Sequence, residues 1–168
     1  MDTSIEDLVE VLQISRSSLY DTFGDKRTLF LESLRLYSAG VIERITITLN
    51  NASSPIAGIQ AVLKDLAEGV GTESGAMGCF MVNSVAELAP YDPDVMAIAV
   101  AYSESLLRLL TDALTQGVAE GIVTNHQTPG ELAAFVFNTM QGLRILIKSG
   151  ATREQVTAIG TMTVNLLR

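Results

Sequence analysis

Side chains that could perform covalent or acid–base chemistry are scarce in this chain. It has one histidine, His126, and one cysteine, Cys79. A nucleophile needs a base within hydrogen-bond reach, and His126 lies in a polar stretch that predicts an exposed loop. The carboxylates show no spacing typical of acid–base pairs, and no phosphate-binding glycine loop is present. We therefore expect no enzyme, no metal site and no cofactor.

Cys79 allows two interpretations. It lies near the start of a predicted helix, where the helix dipole can raise the reactivity of a thiol. Its neighbours Phe80 and Met81 are apolar, which instead indicates a buried and inert side chain. Cys79 is therefore either a redox or electrophile sensor or a part of the core. A single cysteine also excludes a disulfide within the chain.

The composition favours one helical chain of ordinary domain size. The 168 residues are 48% hydrophobic and include only four prolines. No apolar run reaches the roughly 18 residues of a membrane-spanning helix, and the acidic amino end is no signal peptide. We expect a cytoplasmic protein with no membrane partner. The net charge of −8 argues against a general nucleic-acid coat, since such proteins carry a basic footprint.

The first 26 residues have the pattern of a helix-turn-helix. Thr3 or Ser4 can cap a first helix, whose apolar residues recur at helical spacing. After a break at residues 13–14, Ser15 caps a short helix over 16–23. The apolar residues of the first helix are Ile5, Leu8, Val9 and Leu12. The second helix of such a pair can enter the major groove of DNA.

This segment resembles the DNA-binding segment of tetracycline-repressor (TetR) family regulators. The resemblance lies in the string Ser-x-x-(Ser/Thr)-Leu-Tyr-x-x-Phe-x-x-Lys. In this chain the string is formed by Ser15, Ser18, Leu19, Tyr20, Phe23 and Lys26, with Gly24 and the upstream run from Thr3 to Leu8. In the turn, Gln13 replaces the glycine usual in the family.

The resemblance implies a homodimer that binds operator DNA and responds to a small apolar or amphipathic effector. Ligand binding would shift a connecting helix and change the separation of two half-site contacts, about 34–36 Å or more apart. Residues 1–37 would be the headpiece, and 38–168 the ligand-binding and dimerisation domain. The matching DNA-contact positions are Thr3, Ser15, Tyr20 and Lys26 for phosphates, and Arg16, Ser17 and Ser18 near base edges.

The headpiece is incomplete by comparison with that family. Its members begin with a further helix upstream, usually after a basic arm, and residues 1–37 hold four basic and seven acidic side chains. We therefore expect a truncated form. The alternative function is a ligand-binding dimer that is not competent for DNA binding in this form.

The whole chain is predicted to be all-α, with eight helices. Capping boxes at residues 128–131 and 152–155 mark the last two helices, and residues 71–75 are predicted to be a loop. The predicted helices are 5–12, 16–23, 25–49, 55–70, 77–88, 93–121, 129–148 and 152–168.

A cavity between the middle helices is the expected effector site. Asn83 and Arg144 are the preferred polar contacts, because they interrupt apolar helices. The full set of candidates is Tyr37, Phe80, Met81, Asn83, Ser84, Tyr102, Phe137, Met140 and Arg144.

The last two helices each have a wide apolar stripe. In the resembled family this pair forms a four-helix bundle with the same pair of a second subunit, so we expect a homodimer through residues 128–167. The alternative is that both helices close the monomer core. The stripes are Leu132, Val136, Met140, Leu143 and Ile147 on the first, and Val156, Ile159, Met162, Thr163 and Leu166 on the second.

Overall fold

The computed structural model describes residues 3–168, whose regular structure is entirely helical, so the predicted all-α fold is confirmed. Nine helices lie in this range, one more than the sequence predicts. They are α1 (Ile5–Leu12), α2 (Arg16–Phe23), α3 (Lys26–Asn50), α4 (Pro55–Glu68), α5 (Glu73–Met77), α6 (Phe80–Glu87), α7 (Pro93–Ala119), α8 (Pro129–Lys148) and α9 (Arg153–Leu166). None of these helices combines the length and apolar character needed to cross a membrane.

Short-range side-chain caps determine where several helices begin. At α1 the Ser4 hydroxyl accepts from the Asp7 amide, and the Asp7 carboxylate accepts from the Ser4 amide. The same reciprocal pair begins α8 at Thr128 and α9 at Thr152, as the sequence predicts. Each pair satisfies two backbone groups that a helix terminus leaves without partners.

The predicted loop at residues 71–75 and the single helix predicted over 77–88 are wrong in detail. The Thr72 hydroxyl accepts from the Gly75 amide and starts the short helix α5 inside the supposed loop. Gly78 then ends α5 with a φ of +78°, a conformation that glycine adopts without a Cβ clash. The chain turns there, and α6 begins only at residue 80.

Helix α7 is the centre of the body. It packs along α8 and α3, and also contacts α4 and α6. Tyr102, Leu106, Leu110 and Leu114 recur every four residues along one face, and each is at most 1% exposed. Residues at this spacing lie on one face of a helix. Neighbouring helices therefore cover this face of α7 over three turns.

The apolar stripe predicted on α8 faces this core. Leu132, Val136, Met140 and Leu143 are all buried within the chain, and Ile147 is partly buried against the core. A second set of apolar side chains on α8 and α9 remains exposed. It consists of Phe135, Ile145, Leu146, Met162 and Leu166, with exposed fractions of 41–65%.

The two helices of the headpiece bury far fewer side chains than α7 and α8 do. Helix α1 has no buried residue, and α2 has only Leu19. After Gly24, Asp25 caps α3, and Arg27 in its first turn reaches the start of α7. The Arg27 Nη2 atom lies 3.0 Å from a carboxylate oxygen of Asp92 and 2.7 Å from one of Asp94. These two ion pairs connect the headpiece end of α3 to the body.

Candidate DNA interface and effector cavity

The exposed start of α2 carries a cluster of hydroxyl groups. The Ser15 hydroxyl accepts from the Ser18 amide at 3.0 Å and so caps the helix. It also lies 2.8 Å from the hydroxyls of both Ser17 and Ser18. All three side chains are exposed, so a phosphate or a base edge could exchange hydrogen bonds with them.

In the free chain, Arg16 of α2 forms an ion pair with Glu6 of α1. Its Nη1 atom donates to a carboxylate oxygen of Glu6 at 2.8 Å, and its guanidinium lies 5.8 Å from the Tyr20 ring centroid. The hydrogen bond with Tyr20, followed by the charge of Glu6, raises the pKa of Arg16. Both members of the ion pair are well exposed, with 62% and 68% of their side-chain surface accessible. Because exposed pairs are weak, Arg16 can leave Glu6 for another partner.

The other positions matched to DNA contacts lie at the ends of these helices. Thr3 is exposed directly before the Ser4 cap of α1, and Lys26 occupies the first turn of α3. The ammonium of Lys26 adds to the lowering of the Asp7 pKa, whose main cause is the hydrogen bond from the Ser4 backbone. Gln13 has a φ of +53° in the turn. It takes the left-handed conformation for which glycine is the usual choice.

A cavity of about 150 Å³ opens between α3, α4, α5 and α8. Four of the residues selected from the sequence line it: Tyr37, Cys79, Met140 and Arg144. The remaining lining residues are Val41, Arg44, Ile45, Thr48, Val62, Asp65, Leu66, Gly69, Ser74, Gly75, Gly78 and Ile147.

Four polar side chains meet at one wall of this cavity. The Tyr37 hydroxyl donates to the Cys79 sulfur at 3.3 Å, and Arg144 Nη1 donates to the same sulfur at 2.9 Å. Arg144 Nη1 also donates to the Tyr102 hydroxyl at 3.0 Å. Cys79 itself is 5% exposed. The sulfur is therefore a buried acceptor held by two donors from different helices.

The surroundings shift the pKa values of the cluster. Burial, together with the hydrogen bond to Cys79, raises the pKa of Tyr37. Burial also raises the pKa of Tyr102, against the opposing charge of Arg144. For Arg144, burial is the largest effect and opposes the charged form, but Tyr102, Cys79 and Tyr37 together outweigh it and raise the pKa. Arg144 is thus a fixed cation between two neutral phenols.

Tyr102 does not line the cavity, but its hydroxyl accepts a hydrogen bond from Arg144, which does. Three further effector candidates also lie away from the lining. Phe80 packs edge-on against Phe30 and Tyr37, with ring centroids 5.6 and 5.7 Å apart. Met81 and Ser84 are the buried residues of α6.

The last two candidates lie further out. The Asn83 amide nitrogen donates to the Met77 carbonyl at 3.1 Å, and Lys148 Nζ donates to the Asn83 amide oxygen at 2.9 Å. Asn83 therefore ties α6 to α5 and α8 rather than facing the cavity. Phe137 is partly buried against the core.

Sequence reasoning missed the contribution of α3 beyond Tyr37. Val41, Arg44 and Thr48 line the cavity too, and with Tyr37 they follow a spacing of four, three and four residues. This is one face of a helix, so the choice of Tyr37 could have identified all three. In residues 3–168 no group of three or more His, Cys, Asp and Glu side chains is placed to hold a metal ion.

An exposed helix-turn-helix, joined by one long helix to a helical body with an internal cavity, is the architecture of a helix-turn-helix regulator. A family model described as "Tetracyclin repressor-like, C-terminal domain" matches residues 55–159, more than half of the chain. The chain therefore belongs to the tetracycline-repressor family, as the resemblance of its first 26 residues implies.

Curated relatives agree with this assignment. The chain is 32% identical over 116 residues to an uncharacterized HTH-type transcriptional regulator, YezE, of Bacillus subtilis (strain 168). The match covers 69% of this chain and 58% of YezE. The HTH-type transcriptional repressor ComR of Escherichia coli (strain K12) is 27% identical, over 98% of this chain and 79% of ComR.

A solved structure shows the same fold. It is a cysteine mutant of the TetR family transcriptional regulator CifR complexed with a 26-bp double-strand operator DNA, and it superposes with a TM-score of 0.83. The two sequences are 24% identical, and the match covers 98% of this chain and 86% of the other.

Proposed function

We propose that this chain is a ligand-responsive transcriptional regulator, a cytoplasmic homodimer that represses from a pseudo-palindromic operator. One observation carries the proposal. Helix α3 begins directly after α2, and further along it lines the cavity with Tyr37, Val41 and Arg44. A single continuous helix thus joins the helix-turn-helix hairpin to the cavity that we propose as the effector site. A relative that resembles this chain is named as a transcriptional repressor.

The mechanism follows from this connection. A ligand that contacts Tyr37 and Val41 favours one position of α3 over another, and can shift the population only by that difference in affinity. Because α2 is attached to the start of α3, a small rotation of α3 moves α2. In a dimer, this changes the distance between the two copies of α2 and their fit to half-sites about one helical turn apart.

DNA binding is tested by selecting duplexes from a randomised library with the full chain. Anisotropy on the selected and scrambled duplexes, at two salt concentrations, then separates two roles. Lys26→Ala should weaken both duplexes alike and lower the salt slope by about one, because it removes one phosphate contact. Arg16→Ala should weaken the selected duplex by about tenfold to hundredfold and relax its preference.

Arg108→Ala is the matched control, since it removes an exposed cation from α7 in the body. It should leave both affinities unchanged. Equal losses on selected and scrambled DNA for Arg16→Ala contradict its assignment to base contacts. If no sequence is enriched while the chain still dimerises and binds ligand, the alternative function is correct: a ligand-binding dimer not competent for DNA binding in this form.

We propose that the homodimer forms through residues 128–167, where the exposed apolar side chains of α8 and α9 would make the interface. Phe135 and Leu146 on α8, with Met162 on α9, are 41–65% exposed. Gly142 lies on the same side of α8 with open space around it. Glycine costs a helix about 1 kcal/mol relative to alanine, and close approach of a partner helix is one reason to use it.

Met162→Glu should split the dimer, because a charge in a dry interface has no partner. Met96→Glu on α7 is the control: Met96 is also exposed, at 44%, but lies outside the proposed interface. Light scattering that gives a monomer for the unmodified chain across micromolar concentrations contradicts the proposal, and so does an unchanged dimer for Met162→Glu.

A sensor role for Cys79 is supported by the contact of its sulfur with the Arg144 guanidinium at 2.9 Å, because reactive cysteines lie beside basic side chains. Its 5% exposure supports the core alternative. Maleimide labelling separates the two. Labelling of the folded chain much faster than free cysteine at neutral pH supports a sensor, and labelling only after denaturation shows a core residue.

A further inference from the structure

Within residues 3–168, the charge of Arg144 has no counter-ion. Its hydrogen bonds go to the Tyr102 hydroxyl and the Cys79 sulfur. Among the residues that the structure describes, no carboxylate lies within ion-pair distance of this guanidinium. A cation that is largely removed from water is destabilised unless an anion compensates it. The guanidinium is therefore a preformed place for an anion, which no carboxylate of residues 3–168 supplies.

The other charges of the cavity do not fill this role. Arg44 and Asp65 also line it, but both are exposed. They carry opposite charges and are surrounded by water, which screens them. Apolar side chains line other parts of the wall, among them Ile45, Val62 and Met140. The cavity thus combines one inner cation with apolar contact surface, in a chain of net charge −8.

We propose that the cavity binds a small amphipathic organic anion, whose carboxylate pairs with Arg144 and whose apolar part contacts the inner wall. The planar guanidinium can hold both oxygens of a carboxylate at once, which is the strong form of this pair. The pairing replaces the hydrogen bonds of Arg144 to Tyr102 and Cys79. The inference that this anion is the effector rests on the proposed regulatory function.

Cys79 makes a direct test possible, because it is the only cysteine in the chain. Iodoacetate and iodoacetamide have nearly the same shape and differ by one negative charge. With either reagent the Cys79 thiolate sulfur forms a bond to the methylene carbon, the carbon–iodine bond breaks, and iodide leaves. The ratio of the two rates does not depend on the thiolate fraction, since the same thiolate attacks both. Mass spectrometry of the intact chain gives both rates.

We expect the ratio of the iodoacetate rate to the iodoacetamide rate to exceed that of a neutral model thiol, N-acetylcysteine amide, by about tenfold, the effect of one partly screened unit charge nearby. Arg144→Gln should abolish this excess, while Arg144→Lys should retain most of it. Arg44→Gln is the control for charge at the exposed side of the cavity and should change the ratio little.

A ratio equal to that of the model thiol overturns the proposal. Equal effects of Arg44→Gln and Arg144→Gln also overturn it, since they indicate a diffuse field. Each variant is first checked for an unchanged helical spectrum, and if Arg144→Gln does not fold, Arg144→Lys and the unmodified chain decide.

If neither reagent reaches Cys79, melting temperatures with hexanoate and hexanamide decide instead. Hexanoate alone should raise the melting temperature, by mass action. Equal shifts, or no shift with either compound at millimolar concentration, overturn the proposal. None of these measurements uses DNA. A chain that prefers hexanoate but selects no duplex therefore disproves only the regulatory function, and one that selects a duplex but shows no preference for the acid disproves only the anion site.

Discussion

The headpiece and the effector cavity are built on different principles. In the headpiece the candidate DNA contacts lie within residues 3–26, and the helices are begun by local caps from Ser4, Ser15 and Asp25. Only Leu19 of α1 and α2 is buried. The polar cluster of the cavity wall instead joins Tyr37 and Arg144, which are 107 positions apart in the sequence numbering.

This difference indicates where the molecule can move. The core around α7 is closely packed, and repacking such a core is costly. The headpiece is attached to the body by α3 and by the exposed ion pairs of Arg27 with Asp92 and Asp94. We therefore expect a ligand-driven change to appear at the junction of α2, α3 and α7, and the core of α7 and α8 to stay nearly fixed.

The largest expected effect, on the free energy of unfolding, tests the difference in burial between α7 and the headpiece. Leu106→Ala removes a side chain that is 0% exposed in α7, and should lower the free energy of unfolding by about 2–5 kcal/mol. Val11→Ala in α1, where the side chain is 81% exposed, should change it by less than about 0.5 kcal/mol. Urea unfolding followed by circular dichroism, at one protein concentration, measures both. Similar losses for the two variants would show that the headpiece is as tightly coupled as the core.

The headpiece could be predicted in detail because its determinants are local. A cap such as Ser15 acts on an amide three residues away, so the sequence contains both members of the interaction. The same holds for the capping boxes at Thr128 and Thr152. Even the start of α3 follows from Asp25 and its neighbours. The order of the headpiece helices could therefore be inferred from periodicity and caps, whereas the connecting role of α3 is implied by the family resemblance.

The cavity could be predicted only in part. Tyr37, Cys79 and Arg144 were candidates, but nothing in the sequence indicates that two donors from different helices share one sulfur. The sequence also does not show that the Asn83 amide oxygen accepts a hydrogen bond from Lys148 and is therefore not directed at a ligand. On α8, two apolar stripes coexist, and the spacing of residues cannot distinguish the core stripe from the exposed one. These choices are made by tertiary packing, which periodicity does not encode.

A smaller effect tests the local origin of headpiece structure. Ser15→Ala removes the cap of α2 and should destabilise that helix by about 0.5–2 kcal/mol. Hydrogen exchange should show faster exchange of α2 amides and unchanged exchange in α7, because local opening needs no opening of the core. Ser17→Ala is the control, since its hydroxyl contacts Ser15 but no backbone amide of α2. Faster exchange throughout the chain would contradict the separation of the two regions.

The smallest effect concerns the ion pairs between headpiece and body. The amide hydrogen bond from Val95 is the main cause of the lowered pKa of Asp92, and Arg27 contributes to it. A carboxylate whose pKa is lowered on folding stabilises the fold at pH values above its unfolded pKa, near 3.8. That contribution is lost as the pH falls through the folded value.

Arg27→Gln should therefore lower the melting temperature slightly at neutral pH and low salt, and less at high salt, because exposed pairs are screened. As the pH falls through the lowered pKa of Asp92, the two melting temperatures should converge. Arg35→Gln is the matched control, since Arg35 pairs with Glu32 on its own helix. In hydrogen exchange, Arg27→Gln should expose amides at the junction of α2 and α3, and Arg35→Gln should not. If both variants have the same effect there, the Arg27 pairs do not hold the headpiece to the body, and α3 alone must do so.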